Sequence, residues 1–147
     1  MTPEAGAFLA KSREFLSRAP ALLALDFTDD AGRAAYLAGF HAAQAFIFER
    51  TGRSPKTHAG VQSEFARWAK SEETIDIELR AFLGRAFNLK AIADYETGPG
   101  SKVTSAQASQ AIEAARRFVE TIEYCSDAKV LPYTSNTRLK IVSTCLK

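Results

Sequence analysis

The stretch from Arg33 to Arg50 limits what this chain can fold into more than any other. It contains no proline and is rich in alanine, the residue that loses least on entering a helix, so one long helix is expected. Tyr36, Phe40, Ala43 and Ile47 recur at three- and four-residue steps and therefore share one stripe. Phe46 and Phe48 widen that stripe until little of the circumference suits water. A helix of this kind, in a chain of 147 residues, is either the centre of a bundle or a subunit interface. His41, one of two histidines, lies in its middle.

The flanking segments also read as helices. Thr2-Pro3-Glu4 is a helix start, with threonine as N-cap and proline in the first turn, and an apolar stripe of Phe8, Leu9, Phe15 and Leu16 runs to about Ser17. Ala19-Pro20 is expected to interrupt it, leaving Ala21 to Phe27 as a connector. Thr28-Asp29-Asp30 offers an N-cap for the central helix, and Gly52 suits its left-handed end. Thr57 or His58 can cap a third helix whose inward face is Val61, Phe65 and Trp68. A break at residues 71–74 precedes a fourth helix from Ile75 to Tyr95. Gly98-Pro99-Gly100-Ser101 is a loop, and Thr104 with Gln107 forms a capping box for a fifth helix to about Cys125. No strand series or internal repeat stands out. The expected fold is all-α, an up-and-down bundle of four to five helices.

The length suits one domain with its own core, assigned to residues 1–126. Residues 127–147 form a basic tail, Lys129, Arg138, Lys140 and Lys147 against Asp127, read as extended or partly disordered; the net charge of the whole chain is only +2. That balance points to neither a nucleic acid nor a membrane. Cys125 and Cys145 have no ligand-like spacing, so neither a metal site nor a disulfide framework is expected. No secretory leader or membrane-spanning run is recognised, and a cytoplasmic protein is expected.

P-loop, GxGxxG, HExxH and GxSxG patterns are all missing, as are the paired carboxylates of di-iron bundles. No cofactor is implied. Three blocks nevertheless stand out together: Ala35 to Ala43, Ser54 to Val61, and Arg85 to Tyr95. In order and spacing they resemble a bacterial and archaeal branch of the HEPN superfamily, over about residues 5–125. The resemblance implies a HEPN bundle that dimerises through its central helices. It also implies the function of many HEPN proteins: metal-independent RNases, often toxins paired with a small nucleotidyltransferase antitoxin. Their signature is an arginine followed four to six residues later by a histidine. Arginine can hold a phosphate in a fork while histidine moves the proton of a 2′-hydroxyl. This branch lacks that motif, and here Lys90 stands for the arginine and Asp94, before Tyr95, for the histidine.

The candidate catalytic residues are accordingly His41, His58, Asp94 and Tyr95, with Arg33, Arg85 and Lys90 as candidate ligands of RNA or nucleotide phosphate. Each has a plainer reading: His41 as a core or interface residue, His58 as a helix brace, Lys90 and Asp94 as an i,i+4 ion pair. Two functions follow. One is a toxin–antitoxin or defence-like HEPN protein that binds RNA or a nucleotide and acts as a metal-independent endoribonuclease. The other is a non-catalytic helical dimerisation module that regulates a partner protein.

Overall fold

The computed structural model describes residues 1–128, so the expectations for the basic tail from residue 129 on, Cys145 among them, lie outside the described residues, while Asp127, assigned to that tail, is helical. Five helices make the fold: α1 (Pro3–Ala24), α2 (Thr28–Thr51), α3 (His58–Ala69), α4 (Ile77–Tyr95) and α5 (Ser105–Asp127). The all-α bundle expected from the sequence is the one observed, with five helices and no strand among the described residues. None of these helices is long and apolar enough to cross a membrane.

Local chemistry sets most of the boundaries. Thr2 caps α1, Thr57 caps α3 through Gly60 N at 3.0 Å, and Thr104 with Gln107 closes the capping box of α5. Each satisfies an amide that the first helical turn leaves without a partner. Gly52 ends α2 at φ 70, a left-handed conformation that costs glycine little.

Three boundaries differ from expectation. The helix α1 does not stop at Ala19-Pro20 but runs through Pro20 to Ala24. Pro20 is exposed, whereas Ala19 is fully buried and Leu22 and Leu23 pack on the core. Burying those three side chains offsets the roughly 3 kcal/mol that an interior proline costs a helix. The helix α2 has Phe27 at its N-cap with no side-chain cap. Asp29 instead accepts from Val103 N at 2.7 Å and ties the α4–α5 connection to α2. The helix α4 begins at Ile77 rather than Ile75, because Asp76 caps it through Leu79 N at 2.9 Å.

The central position of α2 resolves the alternative its sequence left open. It touches all four other helices, and residues 31–47 are buried apart from Arg33, Leu37 and His41. Its alanines let the neighbouring axes come close. Gly39 is the tightest point: a Cβ there would overlap Cε1 of Phe82 on α4. Phe82 cannot retreat, because its ring packs 5.0 Å from Phe118, which packs 5.1 Å from Phe65, itself 5.3 Å from Phe46. Four rings from four helices thus fill the centre of the bundle.

Gly39→Ala is therefore expected to lower stability by about 1–3 kcal/mol through overpacking, despite alanine's better helix propensity. Gly84→Ala, on the exposed side of α4 with nothing near its added methyl, is expected to raise it by about 0.5–1 kcal/mol. Urea denaturation of the two variants checks both signs.

Candidate functional site

Two helical ladders face each other beside the aromatic centre. Arg33, Tyr36 and Phe40 on α2 stand at i, i+3 and i+7, and so do Phe87, Lys90 and Asp94 on α4. At one end the Arg33 guanidinium meets Asp94 Oδ1 at 3.1 Å. Further along, the rings of Tyr36 and Phe87 meet edge to face at 5.5 Å. Asp94 Oδ2 also accepts from Lys90 Nζ at 2.5 Å, so one carboxylate bridges two cations. The ammonium of Lys90 lies 5.3 Å from the centre of the Tyr95 ring, a cation–π contact. Lys90 is buried, whereas Tyr95 is three-quarters exposed.

His58, the first residue of α3, enters this cleft from the side. Its ring sits among Phe40 at 4.7 Å, Tyr36 at 5.5 Å and Phe87 at 5.7 Å. Its Nδ1 lies 2.8 Å from the Tyr36 hydroxyl, which Gln62 also reaches as a hydrogen-bond partner. Burial pushes the Tyr36 phenol up to about 12, partly offset by Gln62, so it stays protonated at neutral pH. Gln62, which lowers the phenol pKa, donates to the phenol oxygen. The roles in the Tyr36–His58 pair follow the tautomer, and in one of the two Nδ1–H donates to that oxygen as well. That tautomer leaves Nε2 as a free base, the orientation logic of a catalytic triad.

Burial also lowers the pKa of His58 below its ordinary 6.5; Lys90 pushes the same way and Asp94 opposes it. His58 is thus a mostly neutral base at pH 7, set within the field of the Lys90–Asp94 pair.

The remaining candidates fall elsewhere. His41 is half-buried on the α1 side of α2, stacked 5.6 Å from Phe15, with Nδ1 2.8 Å from Gln44 Oε1. Burial lowers its pKa, Gln44 opposes that, and Lys11 and His58 add to the lowering. The ring of Phe40 lies between the two histidines. Arg85 is exposed and held by Glu78 at 2.6 Å. It borders a groove of about 380 Å³ between α4 and α5, apart from His58 and Lys90. The structure therefore brings together Arg33, His58, Lys90, Asp94 and Tyr95, and leaves out His41 and Arg85. It adds Tyr36, whose spacing on α2 reads as core, and Gln62, which no sequence pattern singles out. The matching i, i+3, i+7 spacings of the two ladders are the signal available for Tyr36.

Because burial holds both histidines below 6.5, the unfolded chain binds more protons than the folded one as pH falls through that value. Stability is expected to be full above pH 6.5 and to decline below it, and His41→Gln with His58→Gln should flatten the decline. In a histidine NMR titration, Asp94→Asn should move His58 further down, since the carboxylate that raises it is gone. Lys90→Ala should move it up.

The comparisons with known proteins agree with this architecture. The family described as HEPN domain matches residues 5–125. A protein of Methanocaldococcus jannaschii named "Putative toxin MJ0605" is 32% identical over 120 residues, covering 82% of this chain and 87% of that protein. The crystal structure of TT1696 from Thermus thermophilus superposes with a TM-score of 0.68 at 19% identity, covering 84% of this chain and 98% of the other, a likeness of fold. The extent of the family match and the identity to the archaeal relative lead to one conclusion: this chain belongs to the HEPN domain family.

Proposed function

We propose that this chain is the toxin-like HEPN component of a toxin–antitoxin or defence-like module, binding RNA and cleaving it without a metal ion. The observation that carries this reading is that His58 lies in the field of Lys90 and Asp94, with Arg33 paired to the same carboxylate. The cations hold the scissile phosphate. His58 Nε2 takes the proton of the 2′-hydroxyl as that oxygen attacks phosphorus, and the departing 5′-oxygen takes the proton back. The products are a 2′,3′-cyclic phosphate and a 5′-hydroxyl, and the steps balance with no further reactant. Tyr36 orients the imidazole, and Tyr95, exposed beside Lys90, offers a ring on which a base can stack.

The functional pairing is with a small nucleotidyltransferase acting as antitoxin. The word "toxin" in the name of the archaeal relative supports an antitoxin partner, and the HEPN resemblance is what suggests a nucleotidyltransferase. The working form is a homodimer. The open face between α1 and α2 supports it, since half-buried Phe15, Leu22 and Leu37 border a hollow of about 170 Å³ with Arg33 on its rim. The apolar girth of α2 itself gives less support, because the chain's own helices cover it.

Incubating purified protein with short single-stranded RNA in chelator tests the reading. Cleavage is expected, reduced about 10²–10⁴-fold in His58→Ala, the usual worth of a general base, and little changed in His41→Gln or Arg85→Gln. Cleavage indifferent to His58→Ala would overturn the assignment. RNA binding without cleavage by the wild type would favour the non-catalytic module. Light scattering should give twice the chain mass of 16.0 kDa.

A further inference from the structure

Asp94 stands where its own helix disfavours it. It lies in the last turn of α4, where the macrodipole presents negative charge, so an anion there needs outside support. The support comes from both sides: Arg33 binds Oδ1 at 3.1 Å and Lys90 binds Oδ2 at 2.5 Å. The two cations stand on different helices and meet at the one carboxylate. Lys90 is fixed by burial and by the Tyr95 ring, and Arg33 projects from α2 with nearly half its side chain in solvent. A carboxylate and a phosphate ester present the same thing to such a pair, two adjacent acceptor oxygens sharing a negative charge. The helix ends one residue later at Tyr95, with Glu96 extended. The carboxylate therefore sits in the last helical turn, partly open to solvent, where a change of its own side-chain rotamer releases the cations.

We propose that Asp94 is a specificity-determining latch, occupying Arg33 and Lys90 until the oxygens of a phosphoryl group displace it. This deepens the RNA reading above, since it concerns the same cations. It gives Asp94 a task other than proton transfer: weakly bound or singly charged anions lose the competition, and polyanions that also engage the surrounding surface win it.

The test uses two probes on the full chain at low ionic strength, inorganic pyrophosphate by calorimetry and a short single-stranded RNA by fluorescence anisotropy. Asp94→Asn keeps the shape and removes the charge, and it should bind pyrophosphate on the order of tenfold more tightly than the wild type. The gain should vanish in the double variant Asp94→Asn/Arg33→Gln. Asp94→Ser, checked like the others by thermal melting, guards against a folding defect in the first variant. Unchanged or weaker pyrophosphate binding in folded Asp94→Asn and Asp94→Ser overturns the latch, and so does a gain that survives loss of Arg33. A pyrophosphate gain without RNA binding by any form sustains the latch and overturns the RNA reading.

Discussion

The missing side chain at Gly39 is the constraint on which the rest of the molecule depends. It lets the Phe82 ring lie against the backbone of α2, and that contact fixes how α2 and α4 run past one another. Once the register is set there, the positions one and two turns away have no freedom: Tyr36 falls beside Phe87 and Arg33 beside Asp94. The rings of Phe118, Phe65 and Phe46 extend the lock to α5, α3 and back to α2. Core packing and site geometry therefore share one origin, and a change that loosens the first misplaces the second.

Much of this is legible in residue patterns, and the failures have physical reasons. The helical identity of residues 33–50 follows from alanine content and apolar spacing, and the caps at Thr2, Thr57 and Thr104 from their side-chain chemistry. Pro20 misleads because a proline signals a local cost, whereas the continuation of α1 is decided by tertiary burial of Ala19, Leu22 and Leu23. Asp29 looks like part of a cap and instead serves a loop 74 residues away. For the site, chain proximity to family-like blocks nominates Arg85, but five residues along a helix is well over a quarter turn, enough to point it at a different groove from Lys90. Tyr36 reads as a core residue, which it is by burial. Its hydroxyl becomes informative only when α3 brings His58 to within 2.8 Å.

Lys90 and Asp94 stand where a HEPN signature has arginine and histidine, and their charges reach a neighbouring imidazole. Lys90 depresses the basicity of His58 and Asp94 restores part of it, so the pair acts on a histidine supplied by another helix. In the function proposed above, α3 delivers into the field of that pair the imidazole that the signature position lacks. The rings of Phe40 and Phe87 flank the imidazole, and the burial they contribute to is the largest cause of its lowered pKa.

His58 opens α3, the shortest of the five helices at 12 residues, while the two cations ride on α2 and α4 in the body of the bundle. The two sides of the site therefore differ in local stability, since the first turn of a helix frays at lower free energy than the helix interiors that carry the cations. Fraying of that turn takes the imidazole out and leaves the cations, and Phe65 in the core, in place. In thermal terms, the Arg33–Asp94–Lys90 cluster outlasts the His58–Tyr36 contact, and the fold outlasts both.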